Sequence, residues 1–270
     1  MQESKDLFDA HCHLSFAPEA ERFACWVAEN LAGAFSTTVD LPDYHAACEI
    51  CAPWKTLKVG LGAHPWWVAQ GKISHEDASQ IVALAADARF IGEVGLDFGK
   101  NGLAKSAFVN EEETKCAQVN MLRAILTACE DHPCDGRVFS FHAVQSADVI
   151  MDLLQEYHLL PGNTAIFHWF SGSSAQLQRA RELGCSFSVN AFMLGTKRGR
   201  EYAKAIPADR LLIETDLPEE CEEACSEDHA FEQALDQYER ALVTARDLLA
   251  ELCGPGIIAQ VQQNARAIFG

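Results

Sequence analysis

His11 and His13, in the run Asp9-Ala10-His11-Cys12-His13, stand one residue apart at the end of the first apolar stretch of the chain. On a β-strand, residues i and i+2 face the same way, so both imidazoles point to one side. Two neutral imidazole nitrogens aimed at a common point suit a divalent cation such as Zn, Mn or Fe. A lone His-x-His is equally a pair of hydrogen-bonded structural histidines. What distinguishes this chain is that four further apolar runs end in a residue a cation needs: Glu93, His142, His168 and Asp216. Four imidazoles and two carboxylates are more than one ion takes. They suit two ions sharing Glu93, whose two oxygens can each bind one, with His11, His13 and Asp216 on the first ion and His142 and His168 on the second. Cations about 3.5–4 Å apart ionise a bound water and stabilise both the attacking and the leaving oxygen of a displacement. That is hydrolysis, most naturally at a phosphoester, with Asp216 placed to take the proton of the water. The structural alternatives are a core salt bridge for Glu93 and a helix cap for Asp216.

Elements of a definite kind must bring these residues together. Short apolar strands, Leu7–Cys12, Ala34–Asp40, Leu57–Ala63, Phe90–Leu96, Val138–His142, Thr164–His168, Ser186–Asn190 and Leu211–Glu214, alternate with helical patterns. Those patterns cover Pro18–Leu31, Ser74–Ala86, Glu111–Asp131, Ser146–Tyr157 and Ser173–Leu183, with Ser74 and Ser146 as N-caps. Two more, Asp228–Leu252 and Gly256–Phe269, follow the eighth strand. The expected fold is α/β, a (β/α)8 TIM barrel with a C-terminal helical extension, in one domain spanning residues 1–270. An open doubly wound sheet predicts a glycine-rich phosphate turn after an early strand. The first turn here is His13-Leu14-Ser15-Phe16-Ala17-Pro18. A barrel also gathers the C-terminal ends of its strands at one mouth, which explains polar residues at five of them.

Composition narrows the setting. The net charge of −18 repels a long polyanion at a distance, so any nucleic-acid contact must come from bound metal or a local basic patch. No run of about 18 apolar residues reads as a membrane span, and the polar start Met1–Asp6 is not a leader, so the expected location is the cytoplasm. The eleven scattered cysteines then read as reduced, mostly buried thiols, and Cys48-x-x-Cys51, lacking a second pair, as part of a helix over His45–Pro53.

The strings DAHCHL, GLGAHPWW, IGEVGLDF, FSFHA, FHWFSGS and LLIETDLP, in this order, together with the closing NARAIF, resemble the TatD-type metal-dependent hydrolases over nearly the whole chain. The resemblance implies a barrel of the wider amidohydrolase group, two divalent ions (Zn, Mn or Mg), and His11, His13, Glu93, His142, His168 and Asp216 as ligands. Many members are deoxyribonucleases acting on DNA ends. In the family the His64 turn faces the site without holding metal, so His64 is expected to touch substrate. Ser171, just past His168, offers a hydroxyl, and Asp9 is expected to orient a ligand histidine.

Two departures bear on substrate. Family members often carry an arginine two residues past the fifth-strand histidine, where this chain has Val144. After the eighth strand comes the acidic run Glu219–Asp228, which opposes a long polyanion. Lys197, Arg198 and Arg200, just beyond the seventh strand, pull the other way, as phosphate contacts that a helix start would not otherwise favour. Trp66 and Trp67 are placed either to stack on a base or to cover the rim. The leading expectation is a phosphodiesterase acting on DNA ends or a small phosphoester. The alternatives are a two-metal hydrolase of an amide or ester in a small molecule or aminoacyl-tRNA, and a non-catalytic, metal-containing partner subunit.

Overall fold

The computed structural model describes residues 5–104, 106–219 and 227–270. Its strands are β1 (Phe8–Cys12), β2 (Gly33–Ser36), β3 (Leu57–Val59), β4 (Leu61–Ala63), β5 (Phe90–Asp97), β6 (Val138–Val144), β7 (Thr164–His168), β8 (Ser186–Val189) and β9 (Leu211–Ile213). Helices alternate with them, and each recorded pairing is parallel. The chain divides into two compact units: Met1–Thr37, His45–Val59 and Phe187–Gly270 form the first, and Thr38–Tyr44 with Gly60–Ser186 form the second.

In the first unit, β1, β2 and β3 pair in that order, and β8 pairs with β9. The end of β9 is tied to β1. Asp216 N–H donates to the His11 carbonyl at 2.9 Å, and His13 N–H to that of Leu217 at 2.9 Å. Beneath them, Phe8 stacks on Phe269 with centroids 4.5 Å apart, and Phe35 lies 5.3 Å from the same ring. Each such burial stabilises by roughly 1.5–3 kcal/mol. The closing helix Gly256–Phe269 is held to the start of β9 by Asn264, whose amide donates to the carbonyls of Ala208 and Leu211, both at 2.8 Å. That bond pair explains the asparagine of the closing segment.

In the second unit, β4, β5, β6 and β7 are neighbours in chain order. Phe139, Phe141 and Phe167 fill one side of β6 and β7. The largest fully buried side chain among the described residues is a cation. Arg137 donates to the carbonyls of Ala88 (2.8 Å), Cys129 (2.9 Å), Ala86 (2.8 Å) and His132 (3.1 Å). Its guanidinium thereby caps the C-terminal ends of the helices His75–Ala85 and Glu111–Asp131, where free carbonyls and the negative dipole end attract a positive group.

The expected third strand, Leu57–Ala63, is two strands broken at Gly60. The Thr38 hydroxyl donates to the Gly60 carbonyl at 2.7 Å and accepts the Gly62 N–H at 3.0 Å. A side chain has taken over backbone bonds, which periodicity alone does not reveal. Ser74 caps its helix in a reciprocal box with Asp77. Ser146 holds the N-cap position, but its hydroxyl donates instead to the Leu96 carbonyl at 2.6 Å. The helix expected over His45–Pro53 runs from Leu41 to Cys51. Pro65–Ala69, Lys100–Ala104, Ala191–Leu194 and Lys197–Ala205 are helices that are too short or too polar to show a clear apolar stripe. No helix among the described residues is long and apolar enough to cross a membrane.

Candidate metal-binding clusters

The first unit brings together His11, His13 and Asp216. His11 Nε2 lies 3.5 Å and His13 Nε2 3.4 Å from the same oxygen, Asp216 Oδ1. These separations exceed a good hydrogen bond. They match the edge of a tetrahedron around an ion with ligands at about 2.1 Å, which is roughly 3.4 Å. The histidine tautomer also fits. His13 Nδ1 lies 3.2 Å from the Thr37 carbonyl, an acceptor only, so Nδ1 carries the proton and Nε2 is left as a lone-pair donor. The His13 ring is braced by Phe16, stacked at 5.3 Å, and the Thr37 hydroxyl stands 3.1 Å from His11 Nε2. Asp216 itself has a left-handed backbone, φ 58.

Asp9 acts through the backbone, where an imidazole contact was expected. Its carboxylate takes the N–H of His11 (3.1 Å), the N–H of Thr215 (3.1 Å) and the Thr215 hydroxyl (2.6 Å). It thus locks the end of β1 to the end of β9, which sets His11 against Asp216. Burial pushes its carboxyl up to about 7, against the lowering effect of these hydrogen bonds. Glu214, fully buried and next to Thr215 in sequence, accepts from the Ser188 hydroxyl and from the Asn190 amide at 3.0 Å.

The second unit gathers Glu93, His142 and His168, and adds His64. Around Glu93 Oε1 stand His142 Nδ1 at 2.7 Å, His168 Nε2 at 2.9 Å and His64 Nε2 at 3.2 Å. One carboxylate oxygen has lone pairs for about two hydrogen bonds. Glu93, only 2% exposed, could hold a cation together with His142 and His168, while His64 meets the same oxygen through Nε2. The ligand atoms of His64, Glu93 and His142 lie within 4.8 Å of one another. His64, expected to face the site without holding metal, lies 3.2 Å from Glu93 Oε1. Its Nδ1 accepts the Trp66 N–H at 3.1 Å, which caps the short helix Pro65–Ala69 and leaves Nε2 turned to Glu93.

Asp97 escaped the sequence reading, although Glu93, Gly95 and Asp97 share one face of β5. Its Oδ2 receives the Trp66 indole N–H at 2.6 Å and lies 3.3 Å from His142 Nε2. Burial alone would raise its carboxyl. The hydrogen bond and charge of His142, the Trp66 indole and the Gly99 N–H together hold it below the ordinary value. Burial likewise opposes charge on His142, but the hydrogen bonds to Asp97 and Glu93 outweigh it and keep that imidazole basic.

Gly95, between Glu93 and Asp97 in sequence, lets the backbone of β6 lie close against β5. At φ +146, a Cβ there would lie 2.1 Å from the His142 carbonyl oxygen. Gly95→Ala is expected to push β6 away, destabilising by about 1–3 kcal/mol, or roughly 2–12 °C in Tm for a chain of this size. Metal affinity should fall with it. A thermal melt and a metal titration check both, and wild-type affinity in the variant would contradict this account of Gly95.

The expected phosphate contacts have partners of their own. The Ser171 hydroxyl donates to the Ala143 carbonyl at 3.5 Å. Lys197, Arg198 and Arg200 are exposed on the helix Lys197–Ala205. Arg200 reaches to 4.0 Å from Glu251, and Arg198 lies over the Tyr202 ring at 6.0 Å. Of the acidic run Glu219–Asp228, residues 220–226 fall outside the described residues, and Glu219 is exposed.

The family model described as TatD related DNase matches residues 8–270. The 3'-5' ssDNA/RNA exonuclease TatD of Escherichia coli K12 is 30% identical over 199 residues, covering 72% of this chain and 71% of that protein. Its counterpart in Erwinia amylovora is 29% identical and covers 80% of this chain and 78% of its own length. Among solved structures, the TatD homolog YJJV of E. coli K12 superposes with a TM-score of 0.71 at 20% identity, covering 98% of both chains. A hydrolase TatD family protein from Entamoeba histolytica gives 0.75 at 18% identity, again over 98% of both chains. The α/β barrel with its C-terminal helices is thereby established as the fold. With the family model matching from β1 to the last residue, this chain belongs to the TatD-related DNase family and is a hydrolase of that family.

Proposed function

We propose that this protein is a divalent-metal-dependent phosphodiesterase that removes nucleotides from the ends of single-stranded DNA or RNA. The observation that carries the reading is the convergence of His142, His168 and His64 on one buried oxygen of Glu93. The names of the relatives supply the substrate class. The proposed ligands are His11, His13 and Asp216 for one ion, and Glu93, His142 and His168 for a second, with Zn, Mn or Mg as candidates. The family model spanning residues 8–270 supports a single catalytic domain. The free thiols among the described cysteines support a reducing location, the cytoplasm.

When bound, the ions would ionise a water and polarise the phosphoryl oxygens. The residues of the chain do the rest. Asp216 Oδ1, shared by two imidazoles, takes the proton of the attacking water, on a side chain that is 20% exposed. Thr37 keeps His13 in the tautomer that presents Nε2. Ser171, Lys197, Arg198 and Arg200 remain the proposed phosphate contacts. The net charge of −18 disfavours a long duplex along the surface and favours attack at ends.

Stripping the protein with a chelator should abolish cleavage of a 3'-labelled single-stranded oligonucleotide, and Mn, Mg or Zn should restore it. A panel of simple esters and amides run beside it tests the competing chemistry. Restored protein that cleaves those but no phosphodiester would overturn the proposal.

A further inference from the structure

One carboxylate oxygen in the second unit serves two masters. Asp97 Oδ2 accepts the Trp66 indole N–H at 2.6 Å and faces His142 Nε2 at 3.3 Å, while the other nitrogen of that ring, Nδ1, lies 2.7 Å from Glu93 Oε1. Nothing about Asp97 is loose. Its Oδ1 takes the Gly99 N–H at 2.8 Å. Its own backbone is clamped by Gln118, which accepts the Asp97 N–H at 2.8 Å and donates to the Asp97 carbonyl at 3.1 Å. A Cβ on Gly102 would lie 2.4 Å from Asp97 Cγ, so the Lys100–Ala104 helix closes the space behind the carboxyl group. The side chain is 2% exposed.

Trp66, held at its nitrogen, stands edge-on to two imidazoles: 5.3 Å and 78° from His64, and 6.2 Å and 66° from His142. A carboxylate can only accept, so its contact with His142 Nε2 requires the proton there. By the same rule Nδ1, 2.7 Å from Glu93 Oε1, carries a proton while the two touch directly. A cation between them would take the place of that proton, and with Nε2–H held by Asp97 the Nδ1 lone pair is the one that would face it. Without Asp97, either tautomer of His142 and more than one rotation of the indole become accessible.

We propose that Asp97 is a positioning residue that couples the metal cluster to its aromatic wall: through a single oxygen it fixes the tautomer and rotation of His142 and the orientation of Trp66. The inference rests on the metal-hydrolase reading and adds to it. It makes the Trp66 ring part of the metal site, so that losing the indole N–H is felt by His142, a residue it does not bond.

The test is metal affinity, measured by chelator competition with Mn or Zn on folded protein, with the Tm of the metal-free form recorded beside it. Asp97→Asn is expected to lower affinity by about 10–100-fold, to shift Trp emission, and to move the 15N signature of His142 away from the Nε2–H tautomer. Trp66→Phe keeps an aromatic ring and removes the indole donor. It should lower affinity by a smaller factor while leaving the metal-free Tm nearly unchanged. A purely architectural Asp97 would lower the metal-free Tm and leave affinity and the histidine signature alone. Wild-type affinity in folded Asp97→Asn overturns the inference, and so does wild-type affinity in Trp66→Phe, which decides the matter if the first variant fails to fold. A wild-type protein that binds no ion overturns the metal reading itself, and this inference with it.

Discussion

Asp216→Asn is expected to lower kcat on a single-stranded oligonucleotide by about 10²–10⁴-fold, the range for losing a positioned proton acceptor, with KM changed far less. The substitution is well suited to the purpose. Asp216 has a left-handed backbone at φ 58, and asparagine is among the few residues that adopt that conformation readily. The amide keeps the shape and most of the hydrogen-bonding reach of the carboxylate, so the Tm should stay within a few degrees. What it loses is the negative charge between His11 Nε2 and His13 Nε2, 3.5 and 3.4 Å away, and with it the ability to take a proton. Equal losses in kcat and kcat/KM would mark an interaction made in the transition state. Retention of wild-type kcat in a metal-loaded variant would remove Asp216 from the mechanism.

The largest effect on stability should come from a residue five positions before His142, just ahead of the strand that carries that histidine. Arg137→Met is expected to cost about 3–5 kcal/mol, as for breaking other buried charged networks, or roughly 6–20 °C in Tm for a chain of this size. Methionine fills much of the volume but leaves the carbonyls of Ala86, Ala88, Cys129 and His132 without the guanidinium they share. Arg137→Lys should recover little, because one ammonium cannot span a fork that reaches four acceptors. Against a typical total of 5–15 kcal/mol, such a loss threatens folding outright. Urea denaturation reads it directly, and a change below about 1 kcal/mol would mean that water replaces the guanidinium without penalty. Activity per folded molecule should be unaffected, which separates this role from that of Asp216.

Much of the site was legible because a strand end is a local feature. His11 and His13 share a face by period two, and His142, His168 and Asp216 each close or follow an apolar run. Glu93, expected at a strand end, instead lies inside β5, where a lone carboxylate in an apolar run still marks it. The strand–helix alternation that makes those ends converge was visible for the same reason, since amphipathic stripes and short apolar runs are written within about ten to twenty residues. The third strand was misread because its break depends on Thr38, whose hydroxyl replaces backbone bonds at Gly60 and Gly62 from some twenty positions away. Asp97 was passed over because nothing local says that its partners are Trp66 and His142, thirty-one and forty-five residues off.

The sequence by itself determined which residue types stand at which strand ends, and hence the chemistry available: imidazoles and carboxylates for divalent ions. Only the tertiary structure decided which nitrogen of each histidine faces inward, that His64 meets Glu93, and that Asp9 works through the backbone of β1 and the segment after β9. The physical reason is range. Periodicity and turn propensity act between near neighbours along the chain, whereas tautomers, shared carboxylate oxygens and buried guanidinium caps are settled by atoms that only folding brings within about 3 Å of one another.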